Sequence, residues 1–226
     1  MTKEQRSVID RVINAFETGS TDGDYGAISI YHDGPTDIRQ ITYGRSQTTE
    51  YGNLWKLVRM CASAGGTYSS ELAPYADRVG NTPLTDDAEF KALFRQAGRE
   101  DPVMQQTQDK FFDETYFTPA MTWADEHRLE AVLSVLVIYD SFIHSGSIPR
   151  VIRSRFPEMP PDEGDEQAWT TACVRERHQW LRESSRPAVR ASCYRTADLM
   201  REITRGNWDL SQLPIDANGT MVSPKV

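Results

Sequence analysis

The chain has 226 residues, of which 33 are acidic and 25 are basic, and its formal net charge is −8. This length suits one domain, or two lobes that share one core, and such a chain needs no disulfide bonds to bury that core. The hydrophobic content of 38% excludes a wholly disordered chain. The negative charge argues against a general nucleic-acid-binding protein, but it is compatible with a polycationic partner.

The cysteines and histidines predict neither a metal site nor a cofactor. Cys61, Cys173 and Cys193 lie far apart without a CxxC motif, so we expect free thiols, with one disulfide as the alternative. The four histidines have no ligand spacing. No apolar run is long enough to span a membrane, and the N-terminus lacks the apolar region of a signal peptide. We therefore expect a chain that is cytoplasmic as synthesised. It would act extracellularly or in the periplasm, through a non-classical route or a signal that this chain lacks.

The first predicted element is a helix whose apolar residues recur at helical spacing. These residues are Val8, Ile9, Val12, Ile13 and Phe16. Gly19 follows, a residue common just past a helix end, so Glu17 is placed at the C-terminal end of the helix.

Residues 25–44 change from a helical to a strand period. Ile28 and Ile30 alternate with polar or aromatic neighbours, residues 32–36 are dense in turn formers, and residues 38–43 suggest a second strand. This segment predicts a small antiparallel hairpin.

The remainder predicts helices, with an irregular tail over 207–226. The main helical ranges are about 102–126, 128–144, 166–183 and 187–205. The helix over 128–144 is apolar on nearly all faces and should be buried, so its Asp140 needs a cationic partner. Residues 150–205 hold 11 Arg and no Lys, and Arg suits such ion pairs.

The fold class that follows is mainly α, an α+β arrangement of lysozyme type with one small antiparallel hairpin. We expect a single catalytic domain over 1–226. The smaller lobe would cover about 20–60, and the larger lobe about 65–226 together with the N-terminal helix.

Glycoside hydrolysis needs two carboxyl groups, one to protonate the leaving oxygen and one to attack the sugar or activate water. Glu17 and one of the hairpin acids, Asp33 or Asp37, are placed to supply these two carboxyl groups. By itself this is weak evidence, because 33 acidic residues make chance pairs plentiful.

The hairpin also carries a family resemblance. Residues 37–44, Asp-Ile-Arg-Gln-Ile-Thr-Tyr-Gly, resemble the Asp-x-Arg-x-x-Thr-x-Gly segment of the family 46 chitosanases, which follows a helix-ending Glu by about twenty residues. Glu17 matches that Glu. Further similarity lies, in the family's order, at 105–109, 116–120, 138–146 and 206–210.

The resemblance implies a cleft between two lobes and an inverting, endo-acting glycosidase. Glu17 would be the general acid, Asp37 the general base, and Thr42 would help to hold the attacking water. Asp33 remains the alternative base. Asp37 is preferred because it alone keeps Arg39, Thr42 and Gly44 in register with the family segment.

The resemblance also implies a supporting ion network. Asp140 would pair with Arg177 and with a second arginine, either Arg195 or Arg190, close to the catalytic Glu. We also count Arg39 among the supporting residues.

The substrate-binding candidates are Tyr31, Tyr43, Gly44, Glu50 and Asn53. The family carries an Asp that binds a glucosamine ammonium group at the position of Asn53, and Glu50 would compensate for the neutral amide. Trp55 is expected in the core.

The preferred function is hydrolysis of β-1,4 bonds in chitosan, without a cofactor. The alternatives are a peptidoglycan-cleaving muramidase or endolysin, and an inactive polysaccharide-binding module. The predicted partner is a polysaccharide, with no nucleic acid and no membrane span, and we expect a monomer.

Overall fold

The computed structural model describes residues 1–32, 34–45 and 47–225, with the backbone but not the side chain of Asp37. The chain is mainly helical with small antiparallel sheets, which confirms the predicted fold class. Its α-helices, in chain order, are α1 (Lys3–Thr18), α2 (Leu54–Ser63), α3 (Ser69–Leu72), α4 (Ala88–Glu100), α5 (Pro102–Phe112), α6 (Thr118–Glu126), α7 (Val132–Ser145), α8 (Arg150–Arg153), α9 (Glu166–Glu183), α10 (Pro187–Ala191) and α11 (Cys193–Thr204). Its strands are β1 (Ile28–His32), β2 (Arg39–Tyr43), β3 (Thr48–Thr49), β4 (Ile215–Ala217) and β5 (Thr220–Val222).

The chain forms two compact units. The smaller unit is Asp22–Asp113, and the larger unit joins Met1–Thr21 to the chain from Glu114 onward. The smaller lobe was predicted to end near residue 60, whereas this unit continues through α4 and α5. These two helices belong to it because they pack with α2 and α3 around shared apolar residues.

The smaller unit is built on one antiparallel sheet in the order β1-β2-β3. Ile30 pairs with Ile41, and Thr42 lies between Ser29 of β1 and Thr49 of β3. A 3₁₀ turn, Pro35–Asp37, connects β1 to β2. The predicted hairpin is therefore present, with a short third strand added to it.

An aromatic cluster forms the core of the smaller unit. Phe90 and Phe94 of α4 stack with their ring centroids 4.1 Å apart, and Tyr43 of β2 packs edge-on against Phe94 at 5.1 Å. All three side chains are fully buried. Offset and edge-on pairs of this kind stabilise beyond the apolar area they bury.

The larger unit surrounds α7, in which every residue from Val132 to Ser141 is buried. The α1 stripe predicted from helical spacing is buried too, and Gly19 ends α1 at a φ of 70°. The start predicted for the central helix, near Arg128, is wrong by four residues. Arg128 has a φ of 57°, a left-handed conformation that cannot continue a right-handed helix.

Two predicted continuous helices are interrupted. The range 102–126 contains a π-helical segment, Asp113–Phe117, because Pro119 has no N–H to continue the helical hydrogen bonds. The range 187–205 breaks at Ser192, whose hydroxyl donates to Val189 O over 2.6 Å and competes with the helical pattern.

The prediction of an irregular tail over 207–226 is also wrong, because β4 and β5 form an antiparallel hairpin. Its turn is Asn218-Gly219, with φ values of 54° and 78°. This dipeptide favours tight hairpin turns because both residues adopt the left-handed region readily. Ile215, Ala217 and Val222 are buried in the larger unit.

Candidate active site

Glu17 lies in the last turn of α1, and residues of α11 hold that turn in place. Tyr194 donates its hydroxyl to Phe16 O over 2.6 Å, and the two rings pack edge-on at 5.9 Å. Arg195 places its guanidinium 5.1 Å from the centre of the Phe16 ring. The backbone beside Glu17 therefore has a defined position, and Tyr194 is a contributor that the sequence did not predict.

Arg195 joins two carboxylates of the larger unit. Its Nη1 donates to Glu17 Oε1 over 2.7 Å, and its Nε donates to Asp140 Oδ1 over 2.8 Å. Arg177 Nη1 donates to the other oxygen, Asp140 Oδ2, over 2.5 Å. The structure thus brings together Glu17, Asp140, Arg177 and Arg195. Arg190, the alternative partner, instead donates to Ser184 O over 2.6 Å on the surface.

Burial and charge shift the pKa values of this network. Burial by itself raises the pKa of Asp140, but the charges of Arg195 and Arg177 outweigh it and lower that pKa to about 2. Burial also raises the pKa of Glu17; the charge and hydrogen bond of Arg195 lower it, and the charge of Asp140 raises it again. The net direction for Glu17 is upward. Its carboxyl group therefore keeps a proton to higher pH than a free Glu side chain.

His144, at the end of α7, adds no positive charge to this network near neutral pH. Burial, with the charges of Arg195 and Arg177, lowers its pKa to about 3. Near neutral pH, Arg195 is therefore the cation that acts on Glu17, and Arg195 and Arg177 are those that act on Asp140.

In the smaller unit, the candidate water-binding residue Thr42 lies on β2 and is 5% exposed. Its Oγ1 donates to Gln47 Oε1 over 2.8 Å. Both candidate bases fall outside what the structure describes, Asp33 as a whole residue and Asp37 for its side chain. The backbone of Asp37 ends the 3₁₀ turn that leads into β2.

Gly44 marks the point where β2 turns towards β3. It has a φ of 77°, and a Cβ there would overlap Gln108 Oε1. That oxygen accepts from Arg45 N over 3.0 Å, and Gln108 Nε2 donates to Tyr25 O over 2.8 Å. The position requires glycine for its conformation and for the close approach of Gln108. Gln108, in the family-like block over 105–109, thus anchors this loop to α5.

Two residues placed at the site by sequence serve elsewhere in the smaller unit. Arg39 is absent from the Asp140 network because it pairs with Asp86 on the surface, at 3.2 Å. Glu50 is fully buried, and its oxygens accept from Ile41 N at 3.1 Å and Leu84 N at 2.8 Å. A carboxylate with both oxygens so engaged ties β2 to the segment before α4, and it does not face a substrate ammonium group.

The aromatic candidates also separate by exposure. Tyr43 is fully buried and donates its hydroxyl to Phe94 O over 2.8 Å, so it is a core residue. Tyr31 is 49% exposed and remains available to a sugar. Trp55, expected in the core, is 44% exposed near the start of α2 and lies two residues after the half-buried Asn53. Exposed aromatic rings can pack on the C–H faces of sugars.

Across residues 1–32, 34–45 and 47–225, no group of three or more His, Cys, Asp or Glu side chains is arranged to hold a metal ion. Within the same residues, no helix has both the length and the apolar character needed to cross a bilayer.

The sequence pattern of glycosyl hydrolase family 46 matches residues 11–215. The chain belongs to glycosyl hydrolase family 46. The hydrolase is 25% identical over 225 residues to a chitosanase of Bacillus subtilis (strain 168), an alignment that covers 92% of this chain and 79% of the relative. Family membership confirms the predicted resemblance and the assignment as a glycoside hydrolase.

Solved structures show the same fold. The family 46 chitosanase of Gynuella sunshinyii in complex with chitotetraose matches the hydrolase with a TM-score of 0.82 and 23% identity, over 100% of this chain and 99% of that one. An enzyme variant from Bacillus subtilis MY002, a chitosanase complexed with 6 GlcN, matches with a TM-score of 0.82 and 22% identity over the whole of both chains. The mainly helical architecture with a small sheet is therefore that of family 46.

Proposed function

We propose that this hydrolase is an endo-acting, inverting chitosanase that cleaves β-1,4-glycosidic bonds. The observation that carries the proposal is the environment of Glu17. Its side chain is 11% exposed, Arg195 orients it, and its pKa is raised. A general acid needs such a carboxyl group, which is held in one direction and keeps its proton to higher pH than a free Glu side chain.

Inversion assigns separate roles to two carboxyl groups. Glu17 donates its proton to the leaving glycosidic oxygen, and Asp37 takes a proton from the water that attacks the anomeric carbon. Thr42 helps to hold that water. The support for Asp37 over Asp33 is its register with Thr42 and Gly44 in the family segment.

Chitosan is the proposed substrate on two grounds. The Gynuella and Bacillus enzymes are chitosanases, and their structures contain chitotetraose or GlcN units. The chain itself carries a net charge of −8, which favours a polycation such as polyglucosamine over a neutral or anionic polymer.

One substitution favours peptidoglycan as the second candidate. Asn53 stands where the resemblance places an Asp that binds a glucosamine ammonium group, and Glu50 is buried rather than available to replace it. A neutral amide lacks the Coulomb attraction of a carboxylate for a cationic sugar.

The test measures reducing-end release from chitosan and from purified peptidoglycan side by side. We expect activity on chitosan that Glu17→Gln lowers at least about 10²-fold, the lower range for loss of a general acid. Glu183→Gln, a change at an exposed residue of α9, is the matched control and should retain full activity. Activity on peptidoglycan alone would select the second candidate.

Two further measurements test the mechanism. Asp37→Asn should abolish turnover while Asp33→Asn should not, and the reverse result would make Asp33 the base.

Proton NMR of the first products should show the α-anomer, because inversion converts the β-linkage into an α-configured reducing end. A β-anomer as the first product would contradict the inverting mechanism.

A further inference from the structure

The side chain of Gln47 is held at both ends within the smaller unit. Its Oε1 accepts the Thr42 hydroxyl at 2.8 Å, and its Nε2 donates to Gly44 O at 3.0 Å. A backbone carbonyl can only accept, so the amide nitrogen must face Gly44 and the amide oxygen must face Thr42. The network leaves one orientation for this amide group.

That orientation determines what the Thr42 hydroxyl can do. A hydroxyl can donate only one hydrogen bond, and the Thr42 hydroxyl donates it to Gln47 Oε1. Within the described part of the chain no donor contacts Thr42 Oγ1, so its lone pairs stay open to an incoming water. Towards such a water, Thr42 can act only as an acceptor.

We propose that Gln47 is a positioning residue that sets the rotation of the Thr42 hydroxyl and thereby orients the attacking water. The inference rests on the proposed function. The water donates one hydrogen bond to Thr42 Oγ1 and a second to Asp37, and this leaves one of its lone pairs for attack on the anomeric carbon.

In the reaction the water oxygen forms the new C–O bond, and the bond between the anomeric carbon and the leaving oxygen breaks. Asp37 receives one proton and Glu17 supplies another to the leaving group.

The backbone of Gln47 supports this role. Its φ is 45°, in the left-handed region that glycine or asparagine adopts more readily than glutamine. The turn between β2 and β3 does not need the side chain for closure, because Gln47 N already donates to Gly44 O over 3.0 Å. A strained residue that keeps a long polar side chain is more typical of a functional position than of a simple turn.

The deciding variant is Gln47→Gly, which relieves the backbone strain and removes the amide. We expect unchanged or higher thermal stability, a kcat about three- to tenfold lower, as for the loss of one hydrogen bond, and little change in KM. Asn218→Gly, at a φ of 54° in the β4–β5 turn, is the matched control, and its kcat should not change. A Gln47→Gly enzyme with full kcat would overturn the inference.

A double-mutant cycle tests whether Gln47 acts through Thr42. Gln47→Met keeps the side-chain length but replaces the amide oxygen with a thioether, which is only a weak acceptor, and Thr42→Val removes the hydroxyl. We expect Gln47→Met to lower kcat in the wild-type background but to have no further effect in Thr42→Val. The same fold-loss in both backgrounds would contradict action through the hydroxyl. Failure of the proposed function is separate, since it would show as full activity in Glu17→Gln or Asp37→Asn.

Discussion

Arg195 donates to Glu17 over 2.7 Å, and both side chains are nearly buried, at 4% and 11% exposure. A cation this close would normally keep a carboxylate ionised, which a general acid cannot tolerate. Burial is the main cause that raises the pKa of Glu17 against this cation, and the negative charge of Asp140, which Arg195 also contacts, raises it further. The arginine therefore orients the acid, while burial and the charge of Asp140 together offset its effect on the pKa of Glu17.

Asp140→Asn tests this balance through the pH dependence of activity. A general acid must be protonated, so activity falls as pH rises through the pKa of Glu17. Without Asp140 the Arg195 charge is less compensated and lowers that pKa, so the alkaline limb of kcat/KM should move to lower pH. Asp198→Asn also removes a carboxylate paired with an arginine in the larger unit, but it should leave that limb in place. An alkaline limb that stays fixed, or rises, in Asp140→Asn would contradict the balance.

The same substitution should destabilise the fold. The folded pKa of Asp140 is lowered to about 2, below its value of 3.8 in the unfolded chain, so its contribution to stability is present above pH 4 and is lost as pH falls towards 2. Removing one partner of a buried ion pair costs about 3–5 kcal/mol. Urea denaturation at pH 7 should show this loss, and the difference from wild type should shrink at pH 3.

Glu50→Gln keeps the size of the side chain, but it should destabilise the smaller unit. Both carboxylate oxygens accept backbone N–H groups, so a glutamine must turn its NH₂ group towards Ile41 N or Leu84 N. Leaving a buried donor unsatisfied costs about 1–3 kcal/mol. Glu71→Gln, at an exposed residue of α3, is the control for urea denaturation and should change the free energy of unfolding little. Equal free energies of unfolding for Glu50→Gln and Glu71→Gln would contradict a role for Glu50 in joining β2 to the segment before α4.

Arg39→Gln should have little effect on stability. The Arg39 and Asp86 side chains are 43% and 80% exposed, and such surface pairs contribute about 0–1 kcal/mol. Asp86→Asn should give a similar small change in the same denaturation experiment. A loss above about 2 kcal/mol in Arg39→Gln alone would mean that Arg39 has a further structural partner.

Gly44→Ala and Gly65→Ala form a matched pair for the loop after β2. Their φ values are 77° and 75°, so both substitutions place alanine in the left-handed region at about 1–2 kcal/mol. No described atom lies within 4 Å of a Cβ at Gly65, whereas a Cβ at Gly44 would overlap Gln108. Gly44→Ala should therefore lose about 1–3 kcal/mol more than Gly65→Ala in thermal unfolding, the usual cost of overpacking. Equal losses would place Gln108 away from Gly44.

The elements governed by local pattern were predictable from sequence. Helical spacing and Gly19 determine where α1 ends, and this places Glu17 in its last turn. The apolar character of α7 predicts that Asp140 is buried, and a buried carboxylate requires a cation. The Asn218-Gly219 turn could also have been predicted from sequence, because that dipeptide is a strong local signal for a hairpin.

The choice of partners was decided by tertiary structure. Arg195 rather than Arg190 reaches Asp140, and a break at the single residue Ser192 separates the two arginines into different helices. Glu50 lies only three residues before the candidate sugar-binding residue Asn53, yet its side chain is buried and accepts from the backbone N–H groups of Ile41 and Leu84. Burial patterns follow from the order of apolar residues along the chain. The partner of a charged side chain depends instead on which distant backbone and side-chain groups the packing brings within about 3 Å.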